Sequence, residues 1–172
     1  MSTDPSTPAA PALALAQGRF AGPAEFAQCI RQALAAAASQ GWREIVCCDP
    51  DFADWPLGER AVAQALNDWS RGGRKFTLLA GDYGAIARQH ARFVTWRRTW
   101  SHIVECRKNA AHPADSLPSV LWGPNWVVER LDTARSTGVA GADAERRALV
   151  KNRLDEFLLR STAAFPATVL GL

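Results

Sequence analysis

Histidine, cysteine and net charge are all scarce in this 172-residue chain, and each shortage removes a class of function. The three histidines, His90, His102 and His112, are not spaced as metal ligands, and none stands in a motif that pairs a nucleophile with its base. Neither a Gly-x-Ser-x-Gly elbow, a Gly-x-Gly-x-x-Gly turn nor a Walker loop occurs, so no catalytic residue, metal or cofactor is assigned. A net charge of +3 is well short of the excess a dedicated nucleic-acid binder carries, which argues against nucleic acid as a partner and leaves a local basic patch open. No run approaches the roughly 18 apolar residues a membrane span needs, so a cytoplasmic protein without a membrane partner is expected.

The four cysteines, Cys29, Cys47, Cys48 and Cys106, show no Cys-x-x-Cys spacing and fall on apolar segments. Buried, reduced thiols are the reading, in keeping with the cytoplasm. Residues 1–17 are rich in Ala, Pro, Ser and Thr and read as a disordered tail. The remainder, 18–172, has the length of one domain with a single core.

Three apolar runs, Glu44–Cys48, Lys75–Ala80 and Ile103–Cys106, alternate with helical segments, and each stops near a charged residue: Asp49, Asp82 and Arg107. Continuous apolar strands joined by helix-length crossovers predict an α/β fold: a three-layer sandwich around a mostly parallel central sheet. Polar groups at the carboxyl edge of such a sheet mark where a ligand sits. Pro23 opens a helix whose stripe Phe26, Cys29, Ile30, Ala33, Leu34 and Ala37 ends at Gly41. Further helices are expected over Gly58 to Ser70 and Tyr83 to Arg98. Residues 107–118 read as a loop, Ser119–Trp122 and Trp126–Arg130 as strands around Gly123-Pro124-Asn125, and Thr137–Ala140 as a last strand. Asp143 then caps a final helix, and the apolar tail from Phe165 to Leu172 is suited to docking on this or a neighbouring subunit.

Three constellations could carry chemistry. Asp49-x-Asp51 directly after a strand resembles the first motif of haloacid-dehalogenase-like phosphatases, whose carboxylates serve as nucleophile and magnesium ligands; a capped loop gives the same pattern. Phe52-Ala53 replaces the Gly-Thr usual in that family. Between residues 88 and 108, Arg88, Arg92, Arg97, Arg98, Arg107 and Lys108 face Glu105 as the single acid, a mixture with Trp96 and Trp100 that either binds an anion or covers the sheet edge. Trp122 and Trp126 flank a tight turn, where they line a pocket or plug the core.

The order of elements resembles one half of a phospholipase D-like fold, with Glu44-Ile-Val-Cys-Cys-Asp-Pro-Asp-Phe52 similar to its first strand and loop and Thr137-Gly-Val-Ala-Gly-Ala-Asp-Ala144 similar to its closing strand and helix start. The pattern also resembles uncharacterised proteobacterial domains of this type, some of which follow acetyltransferase domains, so a bacterial source is implied. Enzymes of the phospholipase D-like family use a His-x-Lys motif; the corresponding strand here reads Ser119-Val-Leu121, and no histidine is followed two residues later by lysine. The resemblance therefore implies a degenerate, noncatalytic domain of unknown function, binding a protein partner or small anionic ligand at the carboxyl edge, with a homodimer as one assembly it allows. The expected binding residues are Asp49, Asp51, Asp82, Arg97, Arg98, Arg107, Trp122 and Trp126. The alternative is a metal-dependent phosphatase-like hydrolase using Asp49 and Asp51.

Overall fold

A computed structural model describes residues 14–109, 113 and 116–167. In chain order the elements are β1 (Gly18–Ala21), α1 (Pro23–Gln40), β2 (Glu44–Asp49), α2 (Arg60–Trp69), β3 (Lys75–Ala80), α3 (Gly84–Gln89), α4 (Ala91–Thr99), β4 (Val104–Asn109), β5 (Ser119–Trp122), β6 (Val127–Asp132), β7 (Thr137–Gly141), α5 (Ala144–Leu159) and β8 (Ser161–Ala163). The class is α/β, built on one open eight-stranded sheet in the order β1-β7-β6-β5-β2-β3-β4-β8.

The expected mostly parallel sheet is corrected. Only β2–β3 and β3–β4 pair in parallel, while β1–β7, β7–β6, β6–β5, β5–β2 and β4–β8 are antiparallel. Chain geometry explains the difference. α2 and the α3–α4 pair are long enough to return the chain for parallel pairing, whereas the few residues between β5, β6 and β7 permit only antiparallel turns. Buried apolar residues fill the antiparallel β5 and β6 as they fill the parallel β2 and β3, so they carry no information on direction.

Side chains alternate between two cores. Ile45, Cys47, Leu121 and Val128 join the helices α1, α2 and α4 on one face, while Val46, Cys48, Val120 and Val127 meet Val150 and Leu154 of α5 on the other. α1 begins with Pro at its first turn and stops at Gly41 in the left-handed region (φ 69°), whose N–H bonds the Ala37 carbonyl. Asp143 caps α5 by accepting from the Glu145 and Arg146 amides.

Three further differences have local causes. The helix expected over Tyr83–Arg98 is two helices, broken at His90 (φ −118°, ψ 54°), whose ring is held by the Phe52 carbonyl at 2.7 Å. β4 runs on through Asn109, into the expected loop, because β8 supplies a partner for Arg107, Lys108 and Asn109. Of the segment expected to be a disordered tail, residues 1–13 lie outside the described residues; Leu15 and Ala16 pack on the core, and Ala16 accepts from Trp126 Nε1 at 2.9 Å. Phe165 stacks on Tyr83 at 5.0 Å, and the rest of the expected docking tail, residues 168–172, lies outside the described residues. Among the described residues no helix is long and apolar enough to cross a membrane.

Candidate functional site

The sheet register aligns three polar residues across neighbouring strands. β5 pairs with β2 so that Cys48 faces Val120, and with β6 so that Ser119 faces Arg130. Continuing the first pairing by one residue puts Asp49 beside Ser119, so Asp49, Ser119 and Arg130 form a row on the α1 face of the sheet.

Arg130 is the centre of that row and is buried. Its Nη2 donates to Asp49 Oδ1 at 3.0 Å and to Asp54 Oδ1 at 3.1 Å; Nη1 donates to Asp54 Oδ2 and, at 3.2 Å, to Ser136 Oγ; Nε donates to Ser119 Oγ at 3.2 Å. These contacts use all five guanidinium donors. The guanidinium also lies 4.2 Å from the centre of the Phe26 ring. Burial on its own would lower the Arg130 pKa; the Asp54 hydrogen bond and the Asp49 charge outweigh it and hold the group raised.

Asp49 is equally committed. Its Oδ2 accepts from the backbone amides of Asp51 (3.1 Å) and Phe52 (2.8 Å), so this carboxylate closes the loop after β2. Phe52 sits at φ 58°, a region costly for a bulky side chain, and is held there by an edge contact with Trp55 at 4.7 Å and by His90. Asp51 accepts from the Ala53 amide and Asp82 from the Gly84 amide, both as local turn caps. Among the described residues no three His, Cys, Asp or Glu side chains are grouped to hold a metal.

The other expected binding residues do not gather at this edge. Arg107 lies in mid-strand, donating to Ser161 Oγ (2.9 Å) and the Ser161 carbonyl (2.7 Å) and pairing with Glu105 at 3.4 Å, so it fastens β8 to β4. Trp126 is buried on the α1 face, whereas Trp122 lies on the α5 face, donating to the Arg147 carbonyl at 3.1 Å under the Lys151 ammonium. Arg98 is exposed on the last turn of α4, and Arg97, beside it, is buried.

Basic residues cluster where the three parallel strands begin, beside Glu44 and Glu105. Glu44 is in register with Lys75, and Phe76 with Val104, so β2, β3 and β4 begin on one edge. Arg43, Arg71, Lys75 and Arg98 stand exposed around those beginnings, and none makes an ion pair among the described residues. Arg74 there donates to the Trp69 and Gly41 carbonyls, at the carboxyl ends of α2 and α1. At the opposite ends of β2 and β3, Asp49 closes β2, Asp51, Asp54 and Asp82 follow in the loops, and exposed Arg88 and Lys108 stand near them. Arg130 escaped the sequence reading, although a charge closing the run Val127-Val128-Glu129-Arg130 was a signal that a buried partner must exist.

No protein-family model matches the chain, and no curated protein does. Among solved structures it is similar to TrmBL2, an archaeal chromatin protein that shows a novel mode of DNA binding, with 17% identity and a TM-score of 0.63 over 92% of this chain and 57% of that one. It is also similar to polyphosphate kinase from Porphyromonas gingivalis, with 11% identity and a TM-score of 0.50 over 91% of this chain and 24% of that one. A third is phosphatidylserine synthase from Haemophilus influenzae, with 10% identity and a TM-score of 0.49 over 80% and 37% of the two chains. The likeness is one of fold, and this chain spans little more than half the length of TrmBL2. It nevertheless corrects the expectation that nucleic acid is an unlikely partner: a protein sharing the fold is a DNA-binding chromatin protein, and net charge is a poor guide where basic residues cluster locally.

Proposed function

We propose that the chain is a noncatalytic, degenerate phospholipase D-like domain that binds a polyanion, nucleic acid in the first place, along the edge where β2, β3 and β4 begin. The observation that carries this reading is a cluster of exposed cations: Arg43, Arg71, Lys75 and Arg98 stand on that edge and make no ion pair among the described residues. The sequence reading favoured the carboxyl edge. There, Asp49 and Asp54 are paired with Arg130, Asp51 and Asp82 add negative charge, and Arg130 has no donor left to offer an anion. Two fold likenesses support the two halves of the proposal: polyphosphate kinase, a phospholipase D-superfamily fold, the domain type, and the DNA-binding chromatin protein TrmBL2 the ligand class.

Absence of the His-x-Lys pair supports a binding role over phosphodiester cleavage. The hydrolase alternative gains no support, since Asp49 has both oxygens engaged by Arg130 and two backbone amides. Fluorescence anisotropy with a labelled short DNA duplex at several salt concentrations tests the reading. Binding should weaken steeply with salt, by about 0.9 log units per log unit of salt for each phosphate contacted. The triple variant Arg43→Glu, Arg71→Glu, Arg98→Glu, checked for native circular dichroism, should bind at least tenfold more weakly and with a flatter salt slope. Affinity unchanged in that variant would remove the proposal.

A further inference from the structure

A cavity of about 750 Å³ opens beside the start of β4, between the end of α4 and residues 163–166. Arg97 lines it, with a residue exposure of only 8%. Its Nε and Nη1 are fully buried and meet no oxygen acceptor among the described residues, the Cys106 thiol being a hydrogen-bonding neighbour of the guanidinium. The polar neighbours on its inner side do not neutralise it. Burial pushes the Cys106 thiol up to about 11 even with Arg97 beside it, so the thiol stays protonated and is a weak acceptor. The Tyr83 hydroxyl sits on the Arg107 and Leu78 carbonyls, at 2.7 and 3.1 Å. Glu105, the one acid on the cavity wall, is turned to Arg107.

The remaining charged or ionisable wall residues are Arg74, Lys75 and His102. A buried guanidinium without a counterion, in a cavity with further cations on its wall, is an arrangement completed by an anion. The buried Arg97 charge on the cavity wall suits a phosphate group, and Ile103, Val104 and Pro166 supply an apolar wall for whatever the phosphate is attached to. We infer that this cavity is a binding site for a phosphate-bearing ligand of nucleotide size, with Arg97 as its buried anchor. It goes beyond the duplex-binding reading and does not require it.

The experiment uses the whole chain. Isothermal titration and thermal-shift measurements are made with inorganic phosphate and with AMP, and anisotropy with one single-stranded oligonucleotide carrying either a 5′-phosphate or a 5′-hydroxyl. AMP should bind and raise the melting temperature. Arg97→Met should weaken AMP at least tenfold without lowering the melting temperature of the free protein, and Arg97→Lys, which keeps charge and loses the fork, should fall between. A preference for the 5′-phosphorylated strand identifies a strand end as the source of the phosphate, and equal binding of the two strands with tight AMP binding identifies a free nucleotide. Absence of any shift with phosphate, AMP or the phosphorylated strand, or AMP affinity unchanged in Arg97→Met, would overturn the inference. The two ideas fail separately in the unaltered protein: duplex binding without AMP binding sinks this site alone, and AMP binding without duplex binding sinks the polyanion reading alone, while the triple variant at Arg43, Arg71 and Arg98 should lose duplex binding and keep AMP binding.

Discussion

Arg130 Nη2 lies 3.0 Å from Asp49 Oδ1, joining β6 to the end of β2 across the intervening β5, with side-chain exposures of 3% and 2%. Arg130 has every donor used and Asp49 has both oxygens engaged, so the pair is stable as a unit and costly to halve. Arg130→Met should destabilise the fold by about 3–5 kcal/mol, because Asp49 keeps its charge in a buried site. The double variant with Asp49→Asn should recover part of that loss. Urea denaturation of the two variants measures it, and equal destabilisation of single and double variants would show that packing, not charge, dominates.

Gly138 faces Arg130 in the β6–β7 ladder. A Cβ there would lie 2.0 Å from the Glu129 carbonyl oxygen and 2.7 Å from Phe20 Cζ, against a backbone atom that cannot yield without opening the ladder. Gly138→Ala should cost about 1–3 kcal/mol or more and disturb the edge strand β1. Hydrogen exchange at residues 18–21 should accelerate in step with the loss in stability.

His90 joins the break between α3 and α4 to the strained turn at Phe52. His90→Leu keeps the volume and strands the Phe52 carbonyl, at a cost of about 1–3 kcal/mol. The segment 50–57 should become sensitive to limited proteolysis before the rest of the chain.

Burial raises the pKa of Cys47 and Cys48 far above the ordinary thiol value and that of Cys106 to about 11. Above pH 9.0 an unfolded thiol ionises while the folded one keeps its proton, so the unfolded state binds fewer protons and stability falls as pH rises. This contribution is fully present below pH 9.0 and is lost progressively from there through about 11. Urea midpoints should therefore drop across that window, by less in a Cys47→Ala, Cys48→Ala variant. The native protein should resist a thiol reagent at neutral pH, and rapid labelling of all four cysteines before unfolding would contradict the burial argument.

Local pattern determined much of the architecture. The stripe from Phe26 to Ala37, the stop at Gly41, the apolar runs that became β2, β3 and β4, the turn between Trp122 and Trp126 and the cap at Asp143 are all consequences of neighbours a few residues apart. Backbone propensity and period act over that range, so the α/β class was legible. Strand direction was not, since a buried apolar strand has the same composition whichever way its neighbour runs.

Tertiary structure alone decided the sites. Asp49 was visible as a carboxylate after a strand, yet its partner Arg130 is 81 residues away, and only the β2–β5–β6 register brings them together. Arg97 and Arg98 are adjacent and chemically identical in sequence; the turn of α4 buries one beside a cavity and leaves the other in solvent. Whether a charge is paired, stranded or solvated depends on long-range packing, which no local spacing encodes.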